Sequence, residues 1–460
     1  MKKAVVLAAG EGTRMKSSTP KVLHKILGTP MLEHVVKTLK EIEIDEIIVI
    51  IGHKKELIKE SFKNFDLTFR EQPMGENLPY GTAFAVKQAL DRIEKDDDVL
   101  ILCGDTPLFK TETLEKFLES NKNSNVKASV MTAVLEKNFG YGRIIKDEDG
   151  FVKEIVEEKD ADSKQKEIKE INSGVYLFKG EILLNNLEAV ENNNSKREYY
   201  LTDLIKILNS KNEKIAGFPL EDSTEMLGVN SRVQLFEAQK ILQKRIISYW
   251  MEEGVSFLNS ESTLIGRDVK IGGDTIIYPN VRIFGNSEIG ERNILEGDTK
   301  IVDSKIGNDC EIKSAYIEET EIGNFVTIGP FAHFRPKTVI KDKAHIGNFV
   351  ELKKSVFGEN SKAGHLAYIG DSDVGKNVNI GCGAITVNYD GKNKNRTTIE
   401  DGAFIGSNSN LVAPVEVEKN AYVACGSTIT KKVEDGELAI ERSTQKNIKG
   451  WVKKKGLYKN

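Results

Sequence analysis

The feature that most constrains this chain is a repeat. Ile-Gly pairs begin at residues 265, 271, 289, 322, 328 and 346, and all but one of the gaps between them are six or eighteen residues. Such a period matches the hexapeptide repeat of a left-handed parallel β-helix, with three short strands per coil, aliphatic side chains stacked inside and small residues at the corners. Four more pairs, at 306, 369, 380 and 405, extend the pattern with drift at Ile306-Gly307 and before Ile405-Gly406. The second drift contains Asn388-Tyr389-Asp390-Gly391-Lys392-Asn393, a turn-rich stretch expected to leave the coil as a loop.

The first half has a different rhythm. From Met1 to about Val229, buried-strand runs such as Lys3-Ala4-Val5-Val6-Leu7, residues 46–51 and residues 98–103 alternate with amphipathic stretches at 30–42 and 81–93. That alternation predicts βαβ units, a Rossmann-like α/β domain with a mainly parallel sheet, and ligands beyond the carboxyl ends of the strands. Between the halves, Ser231-x-x-Gln234 reads as a capping box, and Leu235, Ala238, Ile241 or Leu242, and Ile246 recur at helical spacing up to Gly254. The expected layout is a domain over 1–230, a linker helix over 231–253, and a β-helix with a C-terminal tail over 254–460; the helix reads alternatively as one more helix of the first domain.

Composition removes several classes. A net charge of −4 implies no large basic face, which argues against nucleic-acid binding. The four cysteines, Cys103, Cys310, Cys382 and Cys425, show no C-x-x-C or metal spacing, so a reducing cytoplasm is expected. No signal peptide and no apolar run of membrane-helix length is evident.

The richest chemistry lies in Leu7-Ala8-Ala9-Gly10-Glu11-Gly12-Thr13-Arg14-Met15, followed by Pro20-Lys21. Two glycines after a strand let backbone N–H groups approach an anion, and Arg14 and Lys21 add positive charge. Taken alone, Gly-x-Gly is equally a tight turn. No Gly-Lys-Ser/Thr follows, so this is not a Walker A loop, and the third glycine of a dinucleotide fingerprint is missing. The whole pattern resembles the signature of the sugar-nucleotide pyrophosphorylases, which act on a nucleoside triphosphate and a sugar 1-phosphate. In that company Asp105, in Gly104-Asp105-Thr106-Pro107, reads as a Mg²⁺ ligand rather than only a turn residue, and Asn230 adds a neutral oxygen.

The ordered set continues with Gln72, Gly81-Thr82, Gly140-Tyr141-Gly142, Ile155-Val156-Glu157, Glu170-Ile171-Asn172, residues 198–203 and Gly228-Val229-Asn230. It resembles, over nearly the whole chain, the bifunctional bacterial family that makes UDP-N-acetylglucosamine. The resemblance implies that Leu7, Ala8, Ala9, Gly10 and Lys21 hold UTP, and that Gln72, Gly81 and Thr82 read the uracil. Gly140, Glu157 and Asn172 would hold the N-acetyl sugar, and Asp105 and Asn230 would bind Mg²⁺. Arg14 and Lys21 would stabilise the phosphates during in-line transfer, with no covalent protein nucleophile. One departure is the Pro73 to Tyr80 segment, longer than the family's usual connection.

On the β-helix, His365 in Gly364-His365-Leu366-Ala367-Tyr368 is by itself a surface histidine. The same family carries an acetyltransferase here, acting on glucosamine 1-phosphate with acetyl-CoA as co-substrate. The resemblance implies that His365 is the general base and Glu351 orients it. Arg335, Lys353, Tyr368 and Asn379 would bind the sugar phosphate. Asn388, Tyr389, Ser407, Arg442, Cys382 and Cys425 would lie along acetyl-CoA, the two cysteines where relatives often have Ala. A homotrimer joined through the β-helix is also implied, as are small-molecule substrates and no integral membrane contact. The basic tail over 446–459 reads as a solvated end or as a clamp on CoA phosphates. Two rival readings stand beside this one: a nucleotidyltransferase with a structural or regulatory β-helix, and a scaffold with a decayed nucleotide site.

Overall fold

The computed structural model describes residues 1–75, 78–121, 126–136 and 140–457. They form two compact units, Met1–Leu242 and Gln243–Asn460.

The first unit is built on β1 (Lys2–Ala8), β2 (Glu46–Ile51), β3 (Thr68–Glu71), β4 (Asp98–Cys103), β5 (Ala128–Val134), β6 (Glu170–Lys179) and β7 (Ile215–Pro219). Their order in the sheet is β7-β5-β6-β4-β1-β2-β3. Strand β1 is central and parallel to both β2 and β4, which is why its apolar run is continuous rather than alternating. The sheet is mixed, since β6 runs antiparallel to β4 and β5. A hairpin of Arg143–Lys146 and Val152–Val156 branches from β6. Of the two amphipathic stretches, one forms the helix Met31–Glu41, burying Leu32, Val35, Val36 and Leu39. The other is shorter than its pattern predicts: a helix over Thr82–Lys87, then a 3₁₀ turn at Leu90–Arg92. A 21-residue helix, Arg232–Glu252, spans the boundary between the units.

The second unit is the left-handed β-helix. Its strands fall into three parallel stacks of eleven, ten and nine. Paired residues are eighteen apart at Ile276 and Ile294, seventeen at Tyr316 and His333, and sixteen at Lys300 and Tyr316. The spacing jumps to 25 at Asn379 and Phe404 and at Ser372 and Thr397, which places the extra residues in the loop after Val387. Ile265, Ile283, Leu295, Ile301, Ile317, Phe334 and Leu352 stack inside with no exposure.

The glycine of several Ile-Gly pairs has a steric cause. A Cβ on Gly290 would lie 2.6 Å from the carbonyl oxygen of Gly307, and one on Gly307 would lie 2.6 Å from that of Gly323. Successive coils therefore meet backbone to backbone at this column. Other corners correct the expectation of small residues: Phe331, Lys343, Phe349, Asn360, Leu366 and Asn377 all have φ between 54° and 61° or near it (Leu366, 44°). No β-branched residue occupies such a position among those described, as the crowding of a branched Cβ at positive φ requires.

Candidate active sites

The first site opens at the carboxyl end of β1. Gly12 has φ 64°, and a Cβ there would lie 2.6 Å from Lys21 Cβ, so the loop closes onto Lys21 only with glycine at this position. Gly10 faces open space, with nothing within 4 Å of a built Cβ. Arg14 is exposed at the mouth, on the turn Thr13–Met15. Lys21 Nζ donates to Asp105 Oδ2 and, over 3.1 Å, to Asn230 Oδ1. The Val229 N–H donates to the Asp105 carbonyl at 2.9 Å, which ties the two oxygen-bearing segments together.

The predicted capping box is half realised. Ser231 Oγ accepts from the Gln234 N–H at 3.2 Å, but Gln234 Oε1 accepts from the N–H of Asn230, one residue earlier than a box requires. That bond fixes the backbone of the residue expected to bind metal. The surrounding cleft measures about 710 Å³ and is lined by Gly10, Arg14, Lys21, Tyr80 and Asn230 among others.

Asp105 and Asn230 already share one cation, the Lys21 ammonium, and they offer the hard oxygen donors a divalent ion such as Mg²⁺ takes. Among the described residues no cluster of three or more His, Cys, Asp or Glu forms a self-sufficient metal cage. A site of two protein oxygens completed by phosphate and water suits Mg²⁺, which sheds its waters reluctantly.

Gln72 is 4% exposed, and among the described residues its Nε2 has no hydrogen-bond partner. Gly81, at φ 131°, packs where a Cβ would lie 2.4 Å from the Tyr199 carbonyl oxygen. The Thr82 hydroxyl accepts from the Leu201 N–H at 2.9 Å. Glu76 and Asn77, inside the long Pro73 to Tyr80 segment, lie outside the described residues; Pro73, Met74, Leu78, Pro79 and Tyr80 line the cleft. On the hairpin side, Gly142 sits between Glu157 and Asn172. Asn172 donates to the Tyr176 hydroxyl at 2.7 Å and accepts from Gly174 N–H at 3.0 Å. Burial holds the Glu157 carboxyl above the usual carboxylate range, against a bond from the Thr202 hydroxyl that pulls the other way. Gly140, at φ 89°, donates its N–H to Glu158, which pairs with the buried Arg143 at 2.6 Å.

The second constellation lies on two stacks of the β-helix. His365 is exposed, and its Nδ1 lies 2.7 Å from Asn348 Oδ1, one coil below in direct register. An amide oxygen only accepts, so Nδ1 carries the proton and Nε2 keeps its lone pair. Glu351 is engaged elsewhere, with Arg335 at 3.2 Å. Within one chain the group placed against His365 Nδ1 is Asn348, while Glu351 lies on the neighbouring stack, opposite His333 and Tyr368.

Arg335 and Lys353 stand in register on adjacent coils of that stack. Lys394, from the irregular loop, comes against Lys353, and together with burial and Arg335 it depresses the Lys353 ammonium below its ordinary value. Arg335, Lys353 and Lys394 thus stand close together, with Arg335 paired to Glu351 and Asp371 partly offsetting the repulsion. Tyr368 bends over Gly370, where a Cβ would lie 2.5 Å from its hydroxyl, and Asn388 is buried beside it, donating to Asp371 at 2.5 Å. Asn379 belongs to the stack that carries His365. Tyr389 is 56% exposed, and its loop is ordered by Asp390, whose carboxylate collects the N–H groups of Lys392 and Asn393. Cys382, Ser407 and Cys425 are exposed and occupy the same corner of three successive coils. Arg442 donates to the Cys425 carbonyl at 2.7 Å and reaches its sulfur at 3.1 Å.

Comparison with known proteins reaches both units. Residues 3–255 match the nucleotidyl transferase family, and residues 319–354 match the bacterial transferase hexapeptide (six repeats). "Bifunctional protein GlmU" of Geobacillus sp. (strain WCH70) is 48% identical over 459 residues, covering 99% of each chain. The protein of that name from Clostridium novyi (strain NT) is 48% identical over 459 residues and 100% of each chain. That of Clostridioides difficile (strain 630) is 46% identical over 454 residues and 98% of each. The chain belongs to the bifunctional GlmU family.

Two residues of this GlmU-family chain escaped the sequence reading. Asn348 is found by counting back seventeen residues, one coil, from His365. Lys394 had no such signal, because the loop that carries it leaves the repeat.

Proposed function

We propose that the chain catalyses two successive transfers on one amino sugar. On the β-helix, acetyl passes from acetyl-CoA to the amine of glucosamine 1-phosphate. In the cleft of the first unit, uridylyl passes from UTP to N-acetylglucosamine 1-phosphate, giving UDP-N-acetylglucosamine and pyrophosphate. The observation that carries this reading is the end-to-end match to bifunctional relatives in a chain that keeps both constellations.

In the first reaction, Arg335 and Lys353, with Lys394, hold the sugar phosphate, and Tyr368 and Asn379 lie beside the sugar. The substrate nitrogen attacks the thioester carbon while His365 Nε2 accepts its proton. The C–N bond forms, the C–S bond breaks, and the proton passes to the departing CoA sulfur. Asn388, Tyr389, Ser407, Cys382, Cys425 and Arg442 line the path of acetyl-CoA.

In the second, an oxygen of the sugar phosphate attacks the α-phosphorus of UTP in line. Backbone N–H groups of the Leu7–Gly12 loop, with Arg14 and Lys21, take up the phosphate charge. The unpartnered Nε2 of Gln72 donates to a uracil carbonyl, with Gly81 and Thr82 completing the base site, while Gly140, Glu157 and Asn172 grip the N-acetyl sugar. Mg²⁺ held at Asp105 and Asn230 supplies charge neutralisation at the phosphates.

The protein works in the cytoplasm as a homotrimer packed through its β-helices, because one flat wall of coil is too open to enclose both acetyl-CoA and a sugar phosphate. Among the described residues no helix is long and apolar enough to cross a membrane. Incubation of the purified protein with glucosamine 1-phosphate, acetyl-CoA, UTP and Mg²⁺, omitting each in turn, tests the reading. UDP-N-acetylglucosamine should form only in the complete mixture. Uridylyl transfer to N-acetylglucosamine 1-phosphate by a protein that fails to acetylate glucosamine 1-phosphate would reduce the β-helix to a structural platform.

A further inference from the structure

Arg232 stands outside every role assigned so far, yet it bonds both the turn that carries Arg14 and the turn that begins at Lys21. It follows Asn230 by two residues and opens the long helix. Its Nε–H donates to the carbonyl of Met15 at 3.3 Å, and its Nη1 lies 3.2 Å from His24 Nδ1. Met15 closes the turn that presents Arg14, and its own N–H is bonded to the Gly12 carbonyl at 2.9 Å. His24 closes the turn that begins at Lys21, through its N–H to the Lys21 carbonyl at 3.2 Å.

One guanidinium therefore clasps the Arg14 turn and the Lys21 turn from the first residue of the helix that follows Asn230. The His24 ring is 7% exposed, and burial together with the Arg232 charge holds it below its ordinary value. A neutral Nδ1 accepting from a guanidinium is the state that this clasp needs. A single fork of donors reaching two acceptors on separate segments is a task that arginine performs and lysine, with one nitrogen, does not.

We infer that Arg232 is a positioning residue for uridylyl transfer, setting the spacing of Arg14, Lys21 and Asn230 through Met15 and His24. The inference rests on the proposed function of the first-unit cleft. Its side chain is largely exposed, so replacement leaves no buried charge and no cavity.

The test is steady-state kinetics of both transfers in full-length Arg232→Ala, Arg232→Lys, His24→Ala and the double variant Arg232→Ala/His24→Ala. Misplacement of this kind costs roughly tenfold to a hundredfold in rate. The expected result is such a fall in kcat for uridylyl transfer in Arg232→Ala, with KM for N-acetylglucosamine 1-phosphate and the acetylation rate unchanged. Arg232→Lys should remain impaired, because charge alone does not rebuild the fork. The double variant should lose no more than Arg232→Ala, since both act through one link. Wild-type kcat in Arg232→Ala, full rescue by lysine, or additive losses in the double variant would each overturn the inference. Absence of uridylyl transfer in the wild type would instead overturn the proposed function.

Discussion

The two units build their sites by opposite means. In the first, Lys21, Asp105 and Asn230 meet across as many as 209 residues of chain, and crossover connections decide who meets whom. In the second, His365 and Asn348 are seventeen residues apart, and Arg335 and Lys353 eighteen, so the coil itself is the ruler. A sheet fold gathers distant residues but hides the rule of their meeting; a coil brings together only what lies one turn away and makes the rule explicit. Glycine shows the same contrast. A Cβ on Gly10 would meet nothing within 4 Å, whereas one on Gly290 would press against the next coil.

The largest expected effect breaks the molecule into its two chemistries. His365→Ala should lower acetylation about 10²–10⁴-fold, the usual worth of a general base, and leave uridylyl transfer intact. Asp105→Ala should do the reverse, lowering uridylyl transfer by about 10²-fold or more through lost charge stabilisation. Separate assays of each transfer read this directly. Parallel loss of both activities in either folded variant would contradict two independent sites.

What the sequence revealed follows the same division. The β-helix was legible from the Ile-Gly period, because several successive coils meet backbone to backbone beside the stacked isoleucines and leave no room there for a Cβ. The βαβ character of the first unit was legible from β1, β2 and β4, but the antiparallel β6 was not, since a strand buried on both faces looks alike in either direction. The site residues of both units are legible only through a resemblance. Lys21, Asp105 and Asn230 stand together in the first unit, and Glu351 stands against Arg335 in the second. Lys394 was illegible because the loop after Val387 obeys no period.

A second test pits packing against function through the two glycines. Gly290→Ala forces a Cβ against the Gly307 carbonyl and should destabilise the β-helix by about 1–3 kcal/mol, as overpacking does. Gly10→Ala meets nothing and should leave the melting profile unchanged while weakening UTP binding. Thermal unfolding with UTP titration distinguishes them; a stable Gly290→Ala protein would mean that the coils can separate without cost.

Asn348→Ala sharpens the comparison on the β-helix side. Removing the oxygen that holds Nδ1–H frees the ring to rotate and change tautomer, so acetylation should fall about tenfold, less than on loss of His365 itself. Asn348→Asp keeps an acceptor and should retain more activity than Asn348→Ala. Equal rates in wild type and Asn348→Ala would show that the ring is oriented by another group.

The smallest effect concerns the charge each site carries before substrate arrives. The β-helix site crowds Arg335, Lys353 and Lys394 near solvent, whereas the first unit half-buries Glu157. Burial raises Glu157 above its ordinary value of 4.5, with Asp203 and Asp160 adding to the rise and Thr202 and Lys196 opposing it. A carboxyl raised in the folded state contributes stability that is fully present below its unfolded value and is lost as pH rises through its folded value. Wild type should therefore gain stability over Glu157→Gln as pH falls from 7 towards 4.5, the glutamine being unable to titrate. At neutral pH the ionised carboxylate is instead strained by desolvation, and sugar hydroxyls that donate to it relieve that strain, so Glu157→Gln should raise KM for N-acetylglucosamine 1-phosphate without lowering the melting temperature. Melting curves of the two proteins at matched pH values, with KM at pH 7, test both halves. A difference in stability that stays constant across the pH range would mean that Glu157 is already solvated, and the first-unit site would then be as open as that of the β-helix.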